Sequence, residues 1–345
     1  MSMAEFFIEY GLFLAKAVTI VVAIGVVLVL IAGLSRRAPG SAGLEIEKMN
    51  DKLKEMSDAV RRAMLNKAAW KKHAKAEKKE RKKEGKSATE DSDHRKRIFV
   101  IDFKGDIRAT GVANLREEIS AVVSTATEKD EVVLRLENPG GAVHEHGLAA
   151  SQLLRIKDRG VPLTVIVDKV AASGGYLMAC IADRIIAARF AVIGSIGVIA
   201  QLPNFSRALE TRGVDFEQVT AGKYKRTVTM FGKNTDEDRA KLKEELEDVH
   251  TLFKGLVGEQ RPSLDIERVS TGEHWYGTHA LELGLIDEIG TSDDFLMSAA
   301  DEADIYTVRF KGKQTLQERI MSTFESSLER AGIWLEERLS RNMLP

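Results

Sequence analysis

A chain of 345 residues with 44% hydrophobic and 30% charged residues is long enough for one large domain or two smaller ones, and this composition excludes global disorder. The formal net charge of -1 hides an asymmetry, because basic residues crowd the first hundred positions and the rest carries the acidic excess. The single cysteine, Cys180, excludes an intrachain disulfide framework, and its place in an apolar helical run indicates a buried core residue.

The first forty residues contain a long apolar stretch. Residues Ala17–Ser35 carry no charge, and together with Phe6–Leu14 they are long enough to cross a bilayer. Arg36 and Arg37 end the stretch. A cleaved signal peptide would begin with basic residues, whereas this chain begins with acidic ones. The pattern therefore predicts a retained transmembrane anchor over residues 1–37.

A basic segment follows the predicted anchor. Residues 61–86 hold twelve lysines or arginines against three glutamates. Such a run can lie near anionic lipid headgroups or bind nucleic acid, but no basic-groove motif accompanies it. We therefore predict a charged linker over residues 38–96, either a solvated helix or a disordered arm beside the lipid bilayer, and expect no nucleic-acid partner.

After His94 short apolar runs alternate with helical patterns, which is typical of an α/β domain. Three of the runs predict buried strands: Arg97–Phe103, Glu131–Glu137 and Pro162–Asp168. The apolar stretch Ile185–Ala200 is interrupted by an arginine and by glycines, so it predicts a core strand and turn rather than a second membrane span.

Two amphipathic helices are predicted further along the chain. The segment Thr235–Val257 begins at a threonine cap and places Leu246, Val249 and Phe253 on one face. A second helix is predicted within residues 313–345, where it can pack on the domain, on a neighbouring subunit or on the membrane surface. The α/β domain between linker and final helix spans residues 97–312.

Three glycine-containing turns follow predicted strands: Asn138–Gly141, Ala172–Gly175 and Gly194–Gly197. Glycines after a strand let the backbone approach a ligand, and their N–H groups can face a developing oxyanion. Ser173 stands where a strand gives way to a helix that begins near Gly174, so its hydroxyl can act as a nucleophile. A serine beside glycines is also an ordinary turn, and the motif alone does not choose between the two.

A nucleophilic serine needs a base. Four histidines fall in the α/β domain outside its long helix: His144, His146, His274 and His279. The first two could share one side of an extended segment, but no third metal ligand is evident. The alternative base is a lysine of the segment Gly222–Arg226, which follows a predicted strand at Phe216–Thr220. A lysine can act as a base only if its surroundings lower its pKa. The same segment can equally be a solvated basic loop.

Four segments, ENPGG, DKVAASGGYLMACIADRI, GSIGVIAQLPNF and TAGKYKR, occur in an order and spacing that resemble the signal peptide peptidase A family, in particular its short membrane-anchored SohB-type members. The resemblance covers most of the chain, and the stretch GEHWYGTHALELGLIDEI is also similar to the Clp protease and crotonase superfamily. It implies an α/β superhelix of ββα-type turns behind the transmembrane helix. It also implies a serine endopeptidase of the bacterial inner membrane that cleaves signal-peptide remnants or other membrane-associated peptides.

Site residues follow from the same resemblance. Its motif positions imply Ser173 as nucleophile and Lys225, not Lys223, as general base, with Ser195 orienting the lysine amine. Backbone N–H groups of Gly140 or Gly141 and of Gly174 are implied to form the oxyanion hole. No metal, nucleotide or organic cofactor is required. The family assembles rings, so a homo-oligomer is expected.

Two other functions fit parts of the sequence. A catalytically silent membrane scaffold would bind peptides or partner proteins with Lys225 protonated, and a crotonase-type acyl-CoA enzyme would need carboxylates in its pocket. The side of the membrane also stays open. The basic residues after the anchor favour a cytoplasmic catalytic domain, whereas the family's presumed work on translocated peptides favours the periplasmic side.

Overall fold

A computed structural model describes residues 10–20, 43–73, 75 and 95–312 of the chain. Residues 10–20 are helical. Residues 1–9 and 21–37 of the predicted anchor, and the whole predicted C-terminal helix, lie outside the described residues. Within the described ranges, no helix is both long enough and apolar enough to cross a bilayer. The larger of two compact units spans Leu44–Phe310.

The strands of the described chain form two sheets. In chain order they are β1 (Gly43–Lys48), β2 (Arg97–Lys104), β3 (Glu131–Glu137), β4 (Leu163–Val167), β5 (Val170–Ala172), β6 (Arg184–Ala187), β7 (Val192–Gly194), β8 (His274–Tyr276), β9 (Glu288–Ile289) and β10 (Asp304–Lys311). The large sheet has the order β1-β10-β2-β3-β4-β6-β9, and its ladders from β10 to β9 are parallel. In the small sheet β7 pairs parallel with β5 and antiparallel with β8.

Helices connect most of these strands. They are α1 (Met49–Met64), α2 (Val112–Val123), α3 (Val143–Lys157), α4 (Gly174–Ala179), α5 (Ser206–Glu210), α6 (Asp236–Gln260), α7 (Ile266–Val269), α8 (Gly277–Glu282) and α9 (Ser292–Ala299). Parallel strands joined by helices confirm the predicted α/β class. The superhelical arrangement of the Clp protease and crotonase superfamily stays a prediction.

Apolar side chains of β2 alternate between the two faces of the large sheet, as the pleat of a strand requires. Ile101 and Phe103 belong to the larger hydrophobic cluster, which includes the buried faces of α2 and α3. Ile98 and Val100 belong to a smaller cluster that includes Leu296 of α9. The sheet is thus covered on both faces, which explains why its central strands are continuous apolar runs in the sequence.

The three predicted buried strands are confirmed as β2, β3 and β4, each within one residue at either end. The predicted helix Thr235–Val257 is confirmed as α6. Thr235 caps it: its hydroxyl accepts the Asp238 N–H at 3.1 Å, and the Asp238 carboxylate accepts the Thr235 N–H at 2.8 Å.

The predicted strand Phe216–Thr220 is wrong. These residues form irregular chain that is exposed throughout, with Val219 95% exposed, and none of the described strands pairs with them. Alternating apolar residues make a strand only where a core receives one face, and here no core lies below. The segment Gly222–Arg226 therefore follows an exposed loop.

Part of the predicted linker is folded into the larger unit. Strand β1 lies beside β10, and α1 follows it directly. The Asn50 side chain donates to the carbonyls of Ala300 and Ala303 at 3.0 and 2.9 Å and accepts the Ile305 N–H at 2.8 Å. These bonds tie the start of α1 to the start of β10, so the folded unit begins well before residue 97.

Candidate active site

The three glycine turns meet at one place in the structure. Asn138 forms a parallel bridge with Ala171, and Ala172 is the register partner of Gly194. The Ser173 N–H donates to the Gly194 carbonyl at 2.8 Å. The three chain segments therefore lie side by side as they leave their strands, with the first turn beside the second and the second beside the third.

Ser173 has a strained backbone. It connects β5 to α4 with φ 52° and ψ -120°, a combination that a residue with a Cβ rarely adopts. Its carbonyl accepts the Leu177 N–H at 3.0 Å, which starts the helix. The side chain is half-buried, and no described residue hydrogen-bonds to its hydroxyl. A sharp strand-to-helix turn of this kind holds a hydroxyl at a fixed place, as a nucleophile requires.

Gly140 is in close contact with the serine turn. A Cβ on this residue would lie 2.8 Å from Ser173 Cβ and 2.9 Å from the Gly174 nitrogen, and its φ of +93° also favours glycine. A Cβ on Gly141 would lie 2.2 Å from the Ile107 carbonyl oxygen. Gly140 therefore lets the first turn approach the serine, and Gly141 lets the same turn pass close to the Ile107 backbone.

Backbone N–H groups around Ser173 differ in their partners. The Gly140 N–H donates to Asn138 Oδ1 at 2.9 Å. Gly174 is the first residue of α4, where an N–H has no partner within its helix, and among the described residues the Gly141 N–H has no hydrogen-bond acceptor. Gly141 and Gly174 thus keep N–H groups for a ligand, whereas Gly140 does not.

Ser195 lies beside the nucleophile candidate. It follows Gly194, its φ is 51°, and its N–H donates to the Glu273 carbonyl at 2.6 Å. A Cβ on Gly194 would lie 2.9 Å from the Trp275 ring. The end of β7 therefore packs directly against this ring of β8, and there is no room for a side chain at Gly194. Ser173 and Ser195 each follow one member of the register pair that joins β5 to β7.

Lys225 is not brought to the serines within one chain. Its side chain is exposed and hydrogen-bonds to neither Ser173 nor Ser195; its N–H donates to the Gly222 carbonyl at 3.2 Å. Lys223 is engaged elsewhere, because its amine lies 2.8 Å from a Glu237 carboxylate oxygen, and the hydrogen bond to Glu237 raises the pKa of Lys223. Of the two lysines, only Lys225 has its amine uncommitted.

An apolar cavity of about 220 Å³ opens beside Ser173. Its wall combines the glycine turns, α3, α4 and one face of α6, and its apolar side chains are those of Val143, Leu177, Val198, Val249, Leu252, Phe253 and Leu256. No carboxylate lines it. The absence of acidic groups removes the feature that a crotonase-type acyl-CoA enzyme would need there.

The histidines considered as bases lie in different surroundings. His146 is fully buried, whereas the His144 side chain is 82% exposed. His274 belongs to β8. In the described ranges no cluster of histidine, cysteine or acidic side chains could hold a metal ion. Burial raises the pKa of the Cys180 thiol to about 12, which makes it an inert core residue as its sequence context indicated.

Two features of the site could not be read from the sequence. The face of α6 that lines the cavity was predicted as an amphipathic stripe, but not as part of a site. The contacts of Asn138 and His146 behind the glycine turns join residues eight positions apart through a side-chain hydrogen bond, and residue spacing alone gives no signal for such a bond.

Known proteins similar to this chain agree with the predicted family. The family description "Peptidase family S49" matches residues 155–306, and "Peptidase family S49 N-terminal" matches residues 5–153. "Probable protease SohB" of Haemophilus influenzae is 44% identical, covering 92% of this chain and 93% of that protein. The protein of the same name from Buchnera aphidicola subsp. Schlechtendalia chinensis is 45% identical, covering 85% and 99%.

Solved structures are similar at a lower level. A ClpP1 variant from Listeria monocytogenes is 15% identical with a TM-score of 0.36, covering 61% of this chain and 98% of that one. The family match, by contrast, extends over nearly the whole chain. This chain is therefore a protease of peptidase family S49, the family of the signal peptide peptidase A proteins.

Proposed function

We propose that this protease is a serine endopeptidase in which Ser173 is the nucleophile and Lys225 the general base. The observation that carries the proposal is the position of Ser173: it stands on a strained turn, beside two glycines with available N–H groups, at the mouth of an apolar cavity. A nucleophile, an oxyanion hole and a side-chain pocket are three of the parts that peptide-bond hydrolysis requires, and the general base is the fourth.

The reaction follows from these parts. Lys225, in its neutral form, takes the Ser173 proton while the serine oxygen attacks the peptide carbonyl carbon. The N–H groups of Gly141 and Gly174 donate to the resulting oxyanion, and Ser195 orients the lysine amine. Lys225 then returns the proton to the leaving amine, the C–N bond breaks, and water hydrolyses the acyl-enzyme by the same route. No cofactor takes part.

Lys225 must reach Ser173 for this chemistry, and it must lose most of its water to become a base. Its exposure in a single chain supports completion of the dyad in a homo-oligomer, where a neighbouring copy covers the segment Gly222–Arg226. The exposed apolar residues within and just before this segment, Phe216, Val219 and Tyr224, support such an interface.

The substrates we propose are peptides with an apolar side chain next to the cleaved bond, such as remnants of signal peptides or other membrane-associated peptides. The apolar cavity supports this choice, since it offers no charged or acidic group to a substrate side chain. The apolar stretch Ala17–Ser35 supports an anchor in the bacterial inner membrane, which would concentrate the enzyme where such peptides are released.

Labelling with a fluorophosphonate probe tests the dyad in the full-length, detergent-solubilised protein. Wild type and the control Lys223→Ala should label, and Ser173→Ala and Lys225→Ala should not. Mixing the two inactive variants as unfolded chains and refolding them together should restore part of the peptidase activity if the dyad forms between copies. A correctly assembled wild type that does not label would favour the catalytically silent scaffold instead.

A further inference from the structure

His146 lies behind the candidate oxyanion hole and has no role in the Ser/Lys mechanism. The side chain is fully buried, its Nδ1 is 2.9 Å from the Ala142 carbonyl oxygen, and its Nε2 is 3.2 Å from Asn138 Oδ1. Asn138 Oδ1 also accepts the Gly140 N–H. Both of these oxygens can only accept, and a neutral imidazole carries one N–H, so His146 donates to Asn138 in the tautomer that is protonated on Nε2.

The same imidazole fills the space beside the other half of the hole. A Cβ on Gly174 would lie 2.5 Å from His146 Cγ, so the ring packs directly against the Gly174 backbone. His146 therefore contacts both segments that supply N–H groups near Ser173: Gly174 by packing, and the first glycine turn through Asn138.

Asn138, whose side chain lies between His146 and the Gly140 N–H, has a fixed orientation. It is fully buried, its Nδ2 donates to Met178 Sδ at 3.2 Å, and its carbonyl accepts the Ala172 N–H at 3.0 Å. A buried side chain with all of these bonds has one orientation available. The Gly140 N–H that it accepts belongs to the Pro139–Gly140 peptide, so the bond fixes the peptide one position before the one that carries the Gly141 N–H.

We infer that His146 is a positioning residue of the oxyanion hole, which sets the separation between the N–H groups of Gly141 and Gly174. The inference rests on the proposed function. Oxyanion donors act only when they lie about 2.7–3.1 Å from the position of the oxyanion, so a change in this separation lowers the rate of the chemical step rather than substrate binding.

The experiment compares three full-length variants with wild type. His146→Phe keeps a ring against Gly174 but removes both ring nitrogens, His146→Gln keeps a donor for Asn138, and His144→Phe changes the exposed neighbour on the same helix as a matched control. We expect His146→Phe to lower kcat about tenfold with KM within twofold, and to lower the rate of fluorophosphonate labelling of Ser173 by the same factor. His144→Phe should match wild type.

The glutamine variant separates positioning from packing. If the hydrogen bond to Asn138 matters, His146→Gln should label faster than His146→Phe, whereas a role in apolar packing alone predicts the reverse order. Thermal melting shows whether each His146 variant folds. If one does not, Asn138→Ala is used in its place, because it removes the same hydrogen bond by changing the other partner. If wild type labels and the variants label at the same rate as wild type, the inference is overturned. If wild type does not label at all, the result instead refutes Ser173 as nucleophile.

Discussion

Gly147 offers a way to shrink the apolar cavity beside Ser173 without breaking a contact. It belongs to α3 and lines the cavity, and a Cβ placed on it would have no heavy atom within 4 Å. The side chain introduced by Gly147→Leu would therefore extend into open space. Glycine inside a helix is less stable than leucine by about 0.8 kcal/mol, so this substitution should stabilise the fold while it changes the site.

The magnitude follows from the size of the cavity. Four added carbon atoms occupy a substantial part of about 220 Å³, and a substrate methylene that no longer fits costs about 1–3 kcal/mol of transition-state binding. We therefore expect kcat/KM for peptides with leucine or phenylalanine before the cleaved bond to fall at least about tenfold relative to peptides with alanine there. The melting temperature should rise by about 2–4 °C.

Gly255→Leu is the matched control. Gly255 is exposed on α6, a Cβ there also meets no atom within 4 Å, and it does not line the cavity. Both variants should melt at a higher temperature than wild type, and only Gly147→Leu should change the preference between large and small side chains in a peptide cleavage assay. A Gly147→Leu enzyme that is folded, active and unchanged in its preference would show that the substrate side chain binds elsewhere.

Three further predictions concern ionisable groups. The Cys180 thiol, whose pKa is about 12, should resist iodoacetamide at pH 8 in the folded protein and react after unfolding in urea. Burial would raise the pKa of Asp287, but hydrogen bonds from Arg261 at 2.7 and 2.8 Å and from a backbone N–H hold it below its usual range. Its stabilising contribution is present above the unfolded pKa of about 3.9 and is lost as the pH falls through the folded value. Because water screens this partly exposed carboxylate, Asp287→Asn should lower the free energy of unfolding by only about 1 kcal/mol at pH 7, and by less at pH 3. Burial raises the pKa of Glu118, so its charge destabilises the fold as the pH rises above about 4.3; Glu118→Gln, which keeps an acceptor for the Phe310 N–H, should raise the free energy of unfolding at pH 8 and have little effect at pH 4.

Periodicity in the sequence was sufficient to predict the central strands and the long helix. β2 and β3 are apolar runs because both faces of their sheet are covered, and α6 has a capping threonine followed by one apolar face. The convergence of the three glycine turns was also accessible, since the ends of parallel strands meet at one edge. These features depend on local residue order, which a single sequence displays.

Features that depend on distant partners were not accessible in the same way. β1 is a strand because it lies beside β10, more than 250 residues later in the chain. The apolar residues of Phe216–Thr220 suggested a strand, but no core covers them. The bond between His146 and Asn138 depends on how α3 returns across the first glycine turn. In each case the deciding contact is tertiary, and the residue pattern does not encode it.

The site divides physically into a part that is preformed and a part that is not. Ser173, Gly141 and Gly174 are held by buried strand ends, which fixes their geometry in a single chain. Lys225 lies on exposed chain, outside this preformed part. If Lys225 is the base, as we propose, an isolated chain would be inactive, and it would become active only when a neighbouring copy covers the segment with Lys225. Assembly would then control proteolysis, because the event that removes water from the lysine is also the event that completes the dyad.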